Sequence, residues 1–316
     1  MHRRIEDPPH RETTHRMTEA AQAETQAPSF LGDLWSLGKP RLSSLVLFTA
    51  GGSMFLAGGT PTANSVIAGI IGTTMVVCSA NSLNNYFERE TDKLMERTRT
   101  RALPTGRLAP WIAVVYGVVL MAIAVPWMLT ETTSLATGLA LVAWLIYVFV
   151  YTPMKRRSWL SVVAGGVAGA MPPVIGWTAI RGTLDPGALA LFSILFFWQL
   201  PHTFAIGIFR KSEYAAAGMK ILPIEKSDSV ARSHIMVWTL AMVASGLWLV
   251  DLGLGGTLTL YGGLLLGGIF LWKAYKGIRA NGGPDWARDL FYFSLVYLSG
   301  MFVLMALDHI LTGTSG

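Results

Sequence analysis

Residues 64–92 read NSVIAGIIGTTMVVCSANSLNNYFERETD. The first part, 64–83, carries no charged side chain. A bilayer core about 30 Å thick takes roughly 20 mostly apolar helical residues, so this run reads as a membrane span. The run then turns abruptly polar, from Asn84 and Asn85 through Glu88, Arg89 and Glu90 to Asp92. If the helix continues, Asn84, Glu88 and Asp92 recur at i, i+4 and i+8 and share one face. A span that ends in a one-sided acidic stack sets the terms for the rest of the chain.

Composition agrees with a membrane protein. Hydrophobic residues make up 52% of the 316, and charged residues only 14%, against roughly 25% in soluble domains. Nine candidate spans follow from the apolar runs: 43–58, 64–83, 110–129, 134–151, 159–180, 188–208, 235–250, 258–275 and 291–311. The expected fold is an all-α, polytopic membrane bundle of nine transmembrane helices over residues 31–316. Pro172 and Pro173 are expected to kink the fifth helix, since each removes an internal hydrogen bond. Residues 1–30 mix His, Arg, Glu, Thr, Ala and Pro without apolar periodicity, and are expected to form a disordered cytoplasmic tail. His2, His10 and His15 lie there. The lone Cys78 permits no disulfide within one chain.

The connections alternate in charge. Gly58–Ala63, Thr130–Thr133, Arg181–Gly187, Asp251–Thr257 and the end from Thr312 hold one cation between them, Arg181, out of 25 Lys and Arg. The positive-inside rule places the basic loops and the N-terminus in the cytoplasm, and nine spans put the C-terminus outside. The net charge of +6 is thereby a topological signal. Split among several short loops, it makes a poor nucleic-acid surface, and no nucleic-acid partner is expected.

Two cytoplasmic loops, 84–109 and 209–234, are long and carry acids among the bases, which retention alone does not require. Carboxylates stacked at i, i+4 repel unless a cation bridges them, and magnesium takes carboxylate, carbonyl and substrate phosphate oxygens. Downstream lie Arg97, Arg99, Arg101 and Arg107; guanidinium groups grip phosphate oxygens in pairs. For Arg99 and Arg107 topological retention is the preferred reading, and Glu90 and Glu96 read as a solvated helix end. Lys155, Arg156 and Arg157 follow the fourth span, and Arg210, Lys211, Glu213 and Tyr214 follow the sixth. His202 lies inside that sixth apolar helix, one turn after Trp198, and an ionisable residue at such a place is a functional candidate. Packing is the alternative for His202. His234 and His309 read as structural.

These residues give the chain a family likeness. It resembles the intramembrane aromatic prenyltransferases of the UbiA-type superfamily, and within them the protohaem IX farnesyltransferase (haem O synthase) branch. The superfamily's Asn-x-x-x-Asp-x-x-x-Asp motif appears as Asn84, Glu88 and Asp92. The branch's Met-Glu-Arg-Thr stretch appears as Met95 to Thr98, its Trp-Gln-x-Pro-His run as Trp198 to His202, and its Asp-Tyr-x-x-Ala stretch with a following Leu-Pro as Glu213, Tyr214, Ala217, Leu222 and Pro223. Lys39-Pro40-Arg41 and Pro172 to Gly176 also match. The likeness runs from about Leu37 to the last helix. Glu88 and Glu213 stand where Asp is usual, each longer by one methylene, and Ala102 where Pro is common.

The resemblance implies transfer of a farnesyl group from farnesyl diphosphate to a vinyl group of protohaem IX, with magnesium as cofactor, in a bacterial inner membrane. It implies metal binding by Asn84, Glu88, Asp92 and Glu213. The candidates for holding the diphosphate are Arg97, Arg101, Lys155, Arg156, Arg210 and Lys211. Trp198 and Tyr214 are further substrate-binding candidates, Trp198 beside the acceptor, and His202 is expected to touch haem iron or propionate or to order the final water. A haem A synthase or terminal oxidase is the partner such an enzyme would meet, although no residue points to one. The rival readings are prenylation of an aromatic acid or quinone precursor, and a haem or lipid carrier or transporter without catalysis. A transporter places its polar site near the midplane, whereas the charges here gather at one face.

Overall fold

The computed structural model describes residues 29–312. The tail expected over 1–30 falls outside that range except for its last two residues, as do the three tail histidines and the chain end beyond Thr312. Among the described residues every regular element is a helix. Helix α1 (Phe30–Leu37) opens with Ser29, whose Oγ accepts from the Gly32 N–H. It is followed by α2 (Pro40–Leu56) and α3, a continuous helix Ala63–Asp92 with a wider π turn over Ala68–Gly72. Then come α4 (Pro110–Glu131) and α5 (Ser134–Met154), the latter with a π turn over Ile146–Tyr151.

The next span is broken. Helix α6 (Ser161–Gly169) ends at Ala170, and α7 (Met171–Arg181) begins at once. The interruption expected from Pro172 and Pro173 thus falls at Ala170, within a span that runs Ser161–Arg181. Pro172 and Pro173 occupy the first turn of α7, where the missing N–H costs nothing because those donors have no intrahelical acceptor. Helix α8 (Pro186–Phe209) is capped by Asp185, which accepts from the Gly187 and Ala188 N–H groups. Two short helices, α9 (Lys211–Ala216) and α10 (Leu222–Glu225), lead to α11 (Asp228–Asp251), α12 (Thr257–Arg279) and α13 (Pro284–Thr312).

Among the described residues eight stretches are long and apolar enough to cross a membrane, with α6 and α7 together forming one of them. The ninth expected span, α2, is shorter, its apolar stretch covering Leu42–Leu56. The chain is thus a multi-pass helical membrane protein. Most of its exposed Leu, Val, Ile, Phe and Trp side chains lie along these spans, as they do where lipid replaces water.

The helices pack in chain order, α2 on α3, α3 on α4, α11 on α12 and α12 on α13; α13 returns to touch α2, and α7 packs against α2, α5 and α8. Residues Pro172 to Ala179 of α7 are all buried. Gly176 lets α7 cross α2 closely: a Cβ there would lie 2.3 Å from the Ala50 carbonyl oxygen. Small residues at crossings are how helices approach in lipid, where apolar surface alone does not drive association.

The two ends of the bundle differ. At one end Leu56, Ala57, Arg181, Leu252, Gly253, Leu254 and His309 meet around a small cavity, which joins two of the cation-poor connections, Arg181–Gly187 and Asp251–Thr257. Asp308 there accepts from the Gly256, Leu258 and Thr259 N–H groups and caps α12. The basic loops gather at the other end.

Gly176→Ala is expected to destabilise the bundle by about 1–3 kcal/mol, the usual overpacking cost, because backbone must give way. Gly138→Ala, which meets nothing within 4 Å, should stabilise by about 0.5–1 kcal/mol through helix propensity. Thermal unfolding of both variants in detergent checks this; equal melting temperatures would show that the α2–α7 crossing yields freely.

Candidate active site

Helix α3 keeps its helical geometry through Asp92, so Asn84, Glu88 and Asp92 do share a face. That face turns inward: Asn84 is 0% exposed, Glu88 9% and Asp92 2%. Buried carboxylates need partners, and three other segments provide them. Lys155, just past α5, lies 2.8 Å from Glu88 Oε1. Arg101, in the loop after α3, donates to Asp92 Oδ2 at 2.9 Å. Lys39, before α2, donates to Asn84 Oδ1 at 2.7 Å, while Asn84 Nδ2 donates to Thr152 Oγ1 at 3.1 Å. The stack expected to repel itself is therefore neutralised by the protein's own cations.

Lys39 is the site residue that sequence reasoning named only as part of a motif. Its backbone is left-handed, φ 52°, which turns the chain sharply from α1 into α2. Two amides of α3 hold this turn: Asn81 Nδ2 donates to the Gly38 carbonyl and Asn85 Nδ2 to that of Leu37, both at 3.1 Å. Burial, with Arg101 and Lys155 nearby, brings the Lys39 ammonium down to about 7, against the pull of Glu88 and Asp92. Burial also works against the charge on Lys155, but Glu88, with Tyr151 and Tyr147, outweighs it and raises its pKa well above the ordinary value. The available signal was Asn81 and Asn85 themselves, polar amides at the end of an apolar run.

The loop after α3 is folded back onto this face. Thr98 Oγ1 donates to the Asp92 carbonyl at 2.9 Å. Met95 is 1% exposed and packs with Tyr214, Ala217 and Met219 of the second long loop, so the two acid-bearing loops meet. The Lys220 N–H donates to the Lys155 carbonyl at 2.8 Å, tying that loop to the end of α5. Arg107, read as a retention charge, has a structural partner: Nε and Nη2 donate to both oxygens of Asp33 at 2.9 Å, which clamps α1 onto the loop. That hydrogen bonding raises the arginine's pKa further.

On the second loop, Arg210 Nη1 donates to Glu213 Oε1 at 2.7 Å. Glu213 Oε2 is buried with no hydrogen-bond partner among the described residues. Burial raises the Tyr214 phenol, while Arg97, Lys155 and Arg210 lie close enough to oppose the rise. Arg97, Arg101, Lys155, Arg210 and Tyr214 thus converge. Arg156 is exposed. Lys211 pairs with Asp228 at 2.8 Å on the half-exposed surface.

Trp198 and His202 lie on α8 and meet α13. Trp198 Nε1 donates to the Ser294 carbonyl at 2.6 Å. The His202 ring stacks on Trp198 and tilts against Phe291, each 4.7 Å between centroids, and its Nδ1 lies 2.7 Å from Ser294 Oγ. Neither makes a hydrogen bond, ion pair or ring contact with the acidic stack.

Among the described residues no three His, Cys, Asp or Glu side chains stand close enough to hold a metal unaided. The donors do suit magnesium, which keeps waters and takes substrate phosphate beside one or two carboxylates. Asn84, Glu88 and Asp92 offer an amide and two carboxylates on one face, and the orphaned Glu213 oxygen is a further hard donor. Removing the cation from Glu88 tests the balance. Lys155→Met should lower the melting temperature in detergent, since breaking a buried pair costs roughly 3–5 kcal/mol, less here because both side chains keep some solvent contact. Glu88→Gln with Lys155→Met should recover part of the loss; no recovery would mean that Lys155 acts through packing.

The chain matches the UbiA prenyltransferase family model over residues 45–296. It is 43% identical over 290 residues to a protoheme IX farnesyltransferase of Myxococcus xanthus (strain DK1622), covering 92% of this chain and 98% of that one. The fold matches solved structures at 14% identity. One is a digeranylgeranylglyceryl phosphate synthase, with TM-score 0.74 over 89% of this chain and 98% of the other. Another is a UbiA homologue of Archaeoglobus fulgidus bound to DMAPP and Mg2+, with TM-score 0.61 over 87% of this chain and 99% of the other. An inward acidic face met by cations at one end of a helical bundle, in a chain so closely matched along its length, belongs to the UbiA prenyltransferase family.

Proposed function

We propose that this prenyltransferase moves a farnesyl group from farnesyl diphosphate to a vinyl group of protohaem IX, giving haem O. The observation that carries the reading is the neutralised stack of Glu88 and Asp92, roofed by a loop rich in arginine. The acceptor follows from the matched farnesyltransferase of Myxococcus xanthus and from the Trp198 to His202 run.

Asn84, Glu88, Asp92 and Glu213 would hold magnesium, which supplies positive charge to a departing diphosphate. Arg101 and Lys155, now paired with the acids, would turn toward phosphate oxygens as these enter. Arg97, Arg210, Arg156 and Lys211 extend the cationic rim. Cleavage of the allylic C–O bond leaves its electron pair on the diphosphate, where these cations stabilise it. The vinyl carbon takes the allylic carbon, water adds to the resulting cation and one proton leaves. The roof made by Met95, Met219 and Tyr214 keeps other water out until then.

The basic end faces the cytoplasm in this reading, with nine spans in a bacterial inner membrane and the C-terminus outside. Reporter fusions after Thr257 and after Gly316 should both report the external side; a cytoplasmic signal at Gly316 would remove one span from the count.

The direct assay uses membranes, protohaem, farnesyl diphosphate and magnesium, with mass analysis of the extracted pigment. The expected product carries one farnesyl group and one hydroxyl. EDTA, or Asp92→Ala in a protein that still inserts and unfolds cooperatively, should abolish it. Product formed in EDTA would sink the metal assignment. Prenylation of a hydroxybenzoate with haem untouched would favour the aromatic-acid reading.

A further inference from the structure

Ser294 sits on α13 with no exposed surface and serves α8 twice. Its carbonyl accepts from Trp198 Nε1, and its hydroxyl meets His202 Nδ1. The hydroxyl has one proton and two neighbours. One neighbour, the Phe291 carbonyl at 2.6 Å, can only accept. The serine proton is therefore spent on that carbonyl, and the contact with His202 is a hydrogen bond only if Nδ1 carries the hydrogen and Ser294 Oγ accepts it.

This assignment decides the chemistry of the other nitrogen. A neutral imidazole protonated at Nδ1 has a lone pair at Nε2. Nε2 makes no hydrogen bond among the described residues, and the ring's partners, a hydroxyl and two aromatic rings, include no carboxylate to balance an imidazolium. Trp198 and Phe291 flank the ring, so the edge bearing Nε2 is what it offers. A half-buried imidazole with one nitrogen donated to an acceptor and the other free has the arrangement of a metal-ligating histidine, whose second nitrogen is oriented by a hydrogen bond.

We propose that Ser294 fixes the His202 tautomer and that His202 Nε2 is an axial ligand to the iron of the porphyrin acceptor. The proposal rests on the haem reading above and adds to it how the macrocycle is held. Iron ligation anchors the substrate at its centre and leaves its vinyl edge to reach toward the allylic carbon, while the diphosphate stays with the cations at the basic end. Ser294 acts through His202 and is a positioning residue.

The test uses the full chain in detergent, titrated separately with ferric protoporphyrin IX and with metal-free protoporphyrin IX. Wild type should give the Soret band and electron paramagnetic resonance spectrum of nitrogen-ligated iron. His202→Ala should lose that signature and bind the iron porphyrin at least about tenfold more weakly, the scale of a lost metal contact. Its binding of metal-free porphyrin and of farnesyl diphosphate should not change, and added imidazole should restore the spectrum. Ser294→Ala should weaken iron porphyrin binding about 10–100-fold and shift the band, and Ser294→Thr, which keeps the hydroxyl, should restore both. An unchanged spectrum in His202→Ala overturns the proposal while leaving the haem reading intact. Equal loss of both porphyrins and of farnesyl diphosphate overturns it in favour of packing. If wild type takes up neither porphyrin, the haem reading itself falls, and the proposal with it.

Discussion

Two carboxylates one helical turn apart, facing into the protein at the end of a membrane span, are the constraint around which the basic end is organised. Glu88 and Asp92 are too buried for water to solvate and too close to be left alone. Each is met by a cation from a different part of the chain, Lys155 after α5 and Arg101 in the loop after α3. Lys39, entering before α2, completes the set through Asn84. Remote segments are thus bound to α3 by charge, and the helices that carry them are held in register at that end. The apolar bundle sets how the helices pack, and the ionic set decides how their ends are arranged.

The same arrangement suits chemistry on a diphosphate. Cations already gathered against carboxylates can exchange those partners for phosphate oxygens with little rearrangement, so the geometry is prepared before substrate arrives. The loops above are fastened by different means. Met95 is held by burial against the second loop, Thr98 by one hydrogen bond and Arg107 by a paired contact to Asp33. A roof held by several modest contacts is of the kind that opens to admit a substrate without disturbing the bundle.

Glu88 and Glu213 stand where the resemblance has aspartate, and both are accommodated. The longer Glu88 reaches Lys155 at 2.8 Å. Glu213 uses one oxygen on Arg210 and leaves the other without a hydrogen-bond partner. Each longer carboxylate thus meets a cation, Glu88 the Lys155 after α5 and Glu213 the Arg210 after α8.

Much was legible in the chain itself. Eight of the expected spans depend only on apolar length, and the acidic face of α3 only on the helical repeat, so local sequence determined them. The break at Ala170 was half legible: Pro172 and Pro173 announced an interruption, but whether a helix bends or restarts depends on its neighbours, here the close crossing of Gly176 on α2. Lys39 could not be ranked as a site residue, because 45 residues separate it from Asn84 and no periodicity links them. Arg107 and Asp33, 74 residues apart, were hidden for the same reason. Ser294, 92 residues from His202, has nothing in its sequence surroundings to mark it. The sequence by itself determined which segments are helical and which face of α3 is acidic, since both follow from residues a few positions apart. Which cation meets which carboxylate, and which hydroxyl faces the intramembrane histidine, was decided only when packing brought distant helices together.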